Sequence, residues 1–535
     1  MFALVTGIAL RAWFLFHLPL TSDQAIVGLM AKQFLHGHMN AFYWGQAYGG
    51  VEPHLVAAAF AVAGHSAVTL NLVATALAAI AALLVWRITL RFVDDRRLAV
   101  LAGALAWAAP LPAVYKSTIE YGFRGAALAC GLAVVLVSVR ILDRRDRVLD
   151  FVALGGFVGL GWWASPEIVY FLLPAALLLG GAIARGGRDG AWWLRRLSAG
   201  TAAFVIGALP WLWANVKSGF ASLDSSKFPG SAAALNTGYG GRLATTFRYA
   251  LPLQFNLRPL QYRPRHDVGT KWLFGNSFGT AALLVLAAGV IFGAVAMCFV
   301  HGGRARAIAV TIIAFPFVAA LQPGTWYWAD GRYLVYFGPL LAIAFAIACE
   351  ELGRRIPRVP ALPALSAVVA GCIALTLVSF HQASGTGALS FFEQWGHPDR
   401  PTQDAVASLR AQGVRAGYAD YWVAYKLDFL SHGNLAVTVT RTDSDRSPPA
   451  LRRQVARDRN PAWLFVPPAR LDTGFVQFGA APTIQGPGGI PKSVFIARLD
   501  HLGVSYRVVD AGLLEAVIPD RPVSQAELGF VPHRR

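Results

Sequence analysis

Apolar residues gather in long, nearly uncharged runs, and polar residues fall between them in short connections. The runs cover residues 2–20, 68–93, 98–114, 126–142, 151–164, 168–184, 199–214, 278–300, 307–321, 334–348 and 362–380. Several hold about 18 or more residues, enough to cross roughly 30 Å of hydrocarbon. The pattern predicts a polytopic α-helical membrane protein with about 11 transmembrane helices. Residues 51–63 are apolar but too short to span, which predicts a helix lying along the interface. After residue 380 the pattern changes to short strand-like and helical segments punctuated by Pro and Gly. Residues 402–414 read as a helix, with Thr402 as N-cap and Gly413 as C-cap. Residues 435–440, 462–467, 504–509 and 513–519 read as strands, and 490–503 as another helix. The alternation predicts a small α/β domain over 381–535, beside a membrane domain over 1–380. The segment GPGGIP lacks the preceding strand and the spacing of a phosphate-binding loop.

Charge fixes the orientation. Arg91, Arg96 and Arg97 fall in one connection, and Arg140, Arg144, Arg145 and Arg147 in a later one. Arg185, Arg188, Arg195 and Arg196 follow, then Arg304 and Arg306, then Arg354, Arg355 and Arg358. These clusters take every second connection, as cytoplasmic loops do. The connections holding Asp23, Glu120, Glu167, residues 215–277 and Asp330 therefore face outward. The N-terminus is expected to be cytoplasmic and the C-terminal domain extracytoplasmic, on a multi-pass chain in the cell membrane. No small-x-small cleavage site precedes Asp23, so no cleavable signal is predicted. No basic residue precedes the first run, which leaves open whether a cytoplasmic lead comes before it.

Composition supports lipid over water: 56% of the 535 residues are hydrophobic and 14% charged, where soluble chains carry roughly a quarter charged. The net charge of +18 would suit nucleic acid along one soluble face. Here it is spread in short clusters between apolar runs, so nucleic acid is excluded as a partner. Cys130, Cys298, Cys349 and Cys372 all lie in apolar stretches, with neither disulfide nor metal spacing.

The candidate chemistry collects in the first outer loop, residues 21–66. Asp23 stands where the first run ends, in SDQAIVGLMAKQFLHG. Ser22 or Asp23 could simply cap the helix that follows. Yet Glu52 opens the interfacial helix on the same side, and Tyr43, Trp44 and Tyr48 lie between the two carboxylates. Aromatic faces cover sugar C–H surface and carboxylates accept hydroxyl protons, so the set suits sugar recognition. An interfacial belt would account for any one of the aromatics. Arg11 lies inside the first run, where a charge usually faces a cavity or a partner or else snorkels toward the interface; His17 either lines the same region or packs there. The long outer loop 215–277 carries Lys227, Arg242, Arg248, Arg258, Arg263, Arg265 and His266. It is suited to cover a site, to grip an anionic acceptor, or to touch anionic headgroups. Asp224 and Asp267 show no metal-ligand spacing.

The stretch SDQAIVGLMAKQFLHG…AFYWGQAYGGVEP resembles the first outer loop of GT-C membrane glycosyltransferases. The closest likeness is to the group holding protein O-mannosyltransferases and the lipid A aminoarabinose transferase. The resemblance implies many spans and a polyprenyl-phosphate-linked sugar donor. It puts Asp23 on the catalytic acidic position and Glu52 on the acidic residue opening the interfacial helix. The aminoarabinose branch has a Lys after that Glu, whereas Pro53 and His54 stand here. His54 joins Trp44 and Tyr48 as a candidate sugar or acceptor contact. YKSTIEYGFRGAALACG is similar to the family's second outer loop, with Glu120 and Arg124 at the matching positions. WYWADGRYLVYFGPLL resembles the late outer loop, with Arg332 and Tyr333 matching, and by analogy Arg332 holds the lipid phosphate. YADYWVAYKLDFLSHG resembles the outer C-terminal domains of bacterial members.

A sugar on a lipid phosphate carries its own leaving group. Inverting transfer then needs a base within hydrogen-bond reach of the acceptor hydroxyl. Asp23 is the candidate, with Glu52 or Glu120 orienting the acceptor. A guanidinium would stabilise charge gathering on the departing phosphate: Arg332 first, Arg124 second, although an ion pair with Asp330 would also explain Arg332. The expected function is transfer of a hexosyl or pentosyl group to a cell-envelope glycan, lipid or protein acceptor. No cofactor is assigned, and a divalent cation is left open. A transporter or lipid flippase would want polar residues along the spans and internal repeats, whereas here the acidic residues collect at one surface. A non-catalytic glycan-binding protein on the same fold is the other rival, separable by substituting Asp23.

Overall fold

The computed structural model describes residues 1–143, 147–184, 189–223, 238–258, 276–300, 302–322, 334–356, 358–385, 399–440, 446–467 and 486–530. Helix α1 (Phe2–His17) gives way to α2 (Ser22–Leu35) through an 85° bend. Cap chemistry starts α2. Thr21, in an extended conformation, accepts from Gln24 N at 3.2 Å, and Gln24 Oε1 accepts from Thr21 N at 2.8 Å. This reciprocal pair is a capping box. It takes the role expected of Ser22 or Asp23 and leaves the Asp23 carboxylate for other partners. Helix α3 (Val51–Ala63) has the predicted bounds. Helix α4 (Ala67–Thr89) is capped by Ser66, which accepts from Thr69 N at 3.0 Å.

The predicted run 98–114 is two helices, α5 (Arg96–Ala108) and α6 (Leu111–Lys116). Pro110 separates them because it lacks the N–H that would continue the ladder. Asn256 Oδ1 instead accepts from Leu111 N at 2.9 Å. Then come α7 (Arg124–Leu142), α8 (Val148–Ala164) and α9 (Val169–Ala184). The helices Gly190–Gly207 and Leu209–Ser218 meet at a 66° bend. Asn276–Val300, Gly302–Ala319, Phe337–Arg355 and Ala361–Gly385 complete the helical part. Among the described residues three helices are long and apolar enough to cross a membrane, or up to five if each bent pair counts as one span.

Helices α4, α5, α7, α9, Gly302–Ala319 and Phe337–Arg355 share one apolar core, in which Val85, Ala99, Phe171, Ile308 and Leu340 are fully buried. Helix α8 meets Gly190–Gly207 backbone to backbone. A Cβ at Gly155 would stand 1.8 Å from Gly200 O, and one at Gly159 would stand 2.2 Å from Phe204 O. Small residues at four-residue spacing permit this approach.

The C-terminal part holds a five-stranded sheet: β1 (Ala416–Tyr418), β2 (Ala436–Thr438), β3 (Ala462–Phe465), β4 (Tyr506–Ala511) and β5 (Leu514–Pro519), in the order β2-β1-β3-β5-β4. Strand β1 runs parallel to β2 and β3, while β5 is antiparallel to β3 and β4, with Trp463 opposite Val517. The four predicted strands are β2 to β5. The missed one, β1, is three residues long and shows no alternation. The first helix here is Arg400–Ala411 with Asp399 as N-cap, so Thr402 lies inside it rather than at its start. Pro401 fits that first turn, where an N–H is not needed.

The sheet does not stand apart from residues 21–66. Ile26, Val56 and Phe60 share a core with Tyr425 and Leu427 of the helix Tyr421–Leu430. Lys32 Nζ donates to Phe429 O at 3.0 Å, and Leu20 N donates to Asp399 Oδ1 at 3.0 Å.

Candidate functional site

Asp23 sits in the first turn of α2, where α2 meets the C-terminal elements. Its Oδ1 accepts from the Tyr421 hydroxyl and from Arg446 Nη1, the latter at 3.2 Å. The Tyr43 hydroxyl donates to the Asp23 backbone carbonyl at 3.0 Å. The Arg446 guanidinium lies 5.4 Å from the Tyr43 ring and 5.2 Å from the Tyr421 ring, near enough for cation–π attraction. Burial, then the charge of Asp23, raises both tyrosine hydroxyls above their ordinary range. They therefore remain neutral O–H donors.

Glu52 and Glu120 form a second carboxyl group cluster. Glu52 Oε1 accepts from Ala126 N at 2.6 Å, at the first turn of α7, where a carboxylate meets the positive end of the helix dipole. Glu120 is fully buried, and its Oε1 accepts from Gly122 N at 2.7 Å. Burial, then the charge and hydrogen bond of Glu52, hold the Glu120 carboxyl well above the usual carboxylate range. This favours the protonated form of Glu120. Asn71 Oδ1 joins this cluster to α2, accepting from Gln24 Nε2 at 2.7 Å and from Glu120 N at 3.1 Å.

Beneath lies a cavity of about 350 Å³. Its wall is mostly apolar, including Ala74, Ala82, Leu105, Leu128 and Phe345, with Arg11, Glu52, Lys116, Tyr121, Arg124 and Gln254 among its polar members. Lys116 Nζ donates to the Tyr121 hydroxyl at 3.0 Å, and Arg124 Nη2 donates to Glu167 Oε1 at 3.3 Å. Glu167 also accepts from the Tyr336 hydroxyl. Arg11 donates to Gly7 O at 3.1 Å, to Trp107 O at 2.9 Å and to Ser117 Oγ at 3.0 Å. The intramembrane charge read from the sequence thus faces both partners and a cavity.

The predicted residues separate into groups. Glu52 and Arg124 line the cavity, and Glu120 is bonded behind Glu52. Asp23, Trp44, Tyr48 and His54 are not among its lining residues. Trp44 is buried beside Tyr425, with ring centroids 6.5 Å apart. The Tyr48 ring meets Phe123 edge-on at 4.8 Å. His54 is a packed histidine: Nδ1 lies 2.5 Å from Gly50 O, and the ring is 4.3 Å from Phe34 and 5.4 Å from Trp163. His17 likewise stacks on Trp13 at 4.5 Å. Arg332, Tyr333 and Asp330 lie outside the described residues, as do Lys227, Arg263, Arg265, His266, Asp224 and Asp267 of the long loop. Among the described residues no group of three or more His, Cys, Asp or Glu could hold a metal ion. The sequence did not single out Arg446, 423 residues from Asp23, or Tyr421, 398 residues away and inside the stretch YADYWVAYKLDFLSHG, or Lys116, which stands in the stretch that flagged Glu120 and Arg124.

No family model and no curated protein matches the sequence. Solved structures do match the fold. ArnT from Cupriavidus metallidurans, a lipid A aminoarabinose transferase, matches in its apo state with a TM-score of 0.56 and 14% identity, over 96% of each chain. The same protein bound to undecaprenyl phosphate matches with a TM-score of 0.54 and 14% identity, over 97% of each chain. The apo oligosaccharyltransferase of Archaeoglobus fulgidus gives a TM-score of 0.47 and 13% identity, over 90% of this chain and 71% of its own. The fold is therefore GT-C-like along nearly the whole chain.

Proposed function

We propose that this chain, which has the fold of the Cupriavidus aminoarabinose transferase, is a polytopic membrane glycosyltransferase using a polyprenyl-phosphate-linked sugar. The observation that carries the reading is the mostly apolar cavity whose polar members include Lys116, Arg124 and Glu52. A lipid phosphate is itself an apolar chain ending in an anion. The apolar wall fits the chain, and the Lys116 ammonium and Arg124 guanidinium fit the phosphate. Exposed apolar side chains on outer helix faces, such as Leu4, Ile8 and Leu83, fit contact with lipid. In this reading the chain crosses the bilayer about 11 times, with residues 381–535 as an extracytoplasmic domain.

The reaction breaks the bond from sugar C1 to the phosphate oxygen and forms a bond from C1 to an acceptor hydroxyl oxygen, with inversion. Asp23 takes the hydroxyl proton, and polyprenyl phosphate leaves with its charge held by Lys116 and Arg124. Glu52 orients the acceptor, and Glu120 orients Glu52. Arg332 and Tyr333 assist at the phosphate. The acceptor is a cell-envelope glycan, lipid or protein. Purified protein incubated with a panel of polyprenyl-phosphate sugars and envelope extract should release lipid phosphate from one of them. Lys116→Ala should raise KM for that donor, whereas Asp23→Asn should abolish turnover. Release from no donor, or full turnover by Asp23→Asn, would overturn the reading.

A further inference from the structure

The carboxylate assigned as base is held by the C-terminal elements and not by its own helix. Both side-chain bonds fall on one oxygen: Oδ1 accepts from Tyr421 and from Arg446. Among the described residues none bonds Oδ2. The two donors thus fix the plane of the carboxylate and leave one oxygen available.

Arg446 is built into this position from several sides. Its backbone N–H donates to the Tyr425 hydroxyl at 2.9 Å, and that hydroxyl pairs with Ser447 Oγ at 3.1 Å. Its guanidinium lies near two tyrosine rings, Tyr43 and Tyr421. Its stem lies on Gly45, where φ is +69° and an added Cβ would stand 2.9 Å from Arg446 Cγ. Docking alone does not explain the ion pair. The apolar core, Lys32 on Phe429 O and Asp399 on Leu20 N already join the C-terminal elements to the first outer loop. Side chains at 25% and 26% exposure also gain little stability from pairing.

We propose that Arg446 and Tyr421 are positioning residues for transfer: they orient the Asp23 carboxylate so that Oδ2 meets the acceptor hydroxyl, and the C-terminal elements thereby complete the active site. This rests on Asp23 being the base. The acceptor proton lands on Oδ2, and the polyprenyl phosphate leaves as in the reaction above. Neutralising Asp23 strips the Arg446 cation of its counter-charge, which drives the proton on to solvent and restores the carboxylate for the next turnover.

The test compares full-length Asp23→Asn, Arg446→Ala, Arg446→Lys and Tyr421→Phe in the lipid-phosphate release assay, with melting temperatures measured alongside. Arg446→Ala should lose kcat on the order of 10²-fold through misplacement of the base, with donor KM and melting temperature held. Arg446→Lys should recover part of the loss, and so should guanidinium ion added to Arg446→Ala. Neither should help Asp23→Asn. Folded Arg446→Ala turning over at the wild-type kcat, or a loss that neither Lys nor guanidinium relieves, overturns the inference. If Arg446→Ala does not fold, Tyr421→Phe decides: folded and at the wild-type kcat, it overturns the inference, and a lowered kcat with KM held supports it. The functional reading fails separately, through an inactive wild type or an active Asp23→Asn.

Discussion

Two carboxyl groups of the same kind meet different surroundings here. Asp23 is partly exposed between cationic and phenolic donors, whereas Glu120 is fully buried against another carboxyl. Glu120→Gln should therefore be tolerated. Its amide can donate to Glu52 and accept from Gly122 N as the protonated acid does, so turnover and melting temperature should stay near wild type. Glu120→Ala leaves the buried Gly122 N–H without its acceptor and should lower the melting temperature by a few degrees, about 1–3 kcal/mol of stability. An inactive but folded Glu120→Gln would mean that Glu120 works ionised. Asp23 stood out in the sequence because a carboxylate follows directly on the end of an apolar run. Its donors did not, because contact across about 400 residues leaves no local pattern.

At the scale of elements, hydrophobic runs located nearly every helix but not where helices break. The run 98–114 divides at Pro110 and the segment after residue 190 bends beyond Gly207, because backbone N–H supply and side-chain crowding act inside a uniformly apolar stretch. Strand β1 was invisible for the opposite reason: three residues are too few for a period of two to register. Helix α8 and Gly190–Gly207 make the sharpest element-level prediction. Gly159→Val would place side-chain atoms where Phe204 O now lies. The helices must separate, at a cost of roughly 1–3 kcal/mol or more, which should appear as a lower melting temperature in detergent. Since Gly159 lines no part of the cavity, donor KM in the surviving protein should be unchanged.

For the molecule as a whole, the joint between the first outer loop and the C-terminal elements carries a pH dependence. Asp428 is buried there, and burial pushes its carboxyl up to about 7, with Lys32 pulling the other way. The folded state thus keeps a proton that the unfolded chain releases near pH 4. Stability from this group is greatest below that pH and declines as pH rises toward about 7, where the buried charge must form. Asp428→Asn should melt above wild type at alkaline pH, and the difference should close on acidification; a constant gap would contradict the assignment. The joint also has a consequence for biosynthesis. The hydroxyl donor of Asp23, Tyr421, is translated 398 positions after it. A growing polypeptide would therefore carry the Asp23 carboxylate unclamped until Tyr421 and Arg446 have both emerged, so a product truncated before them should lack both of its side-chain donors.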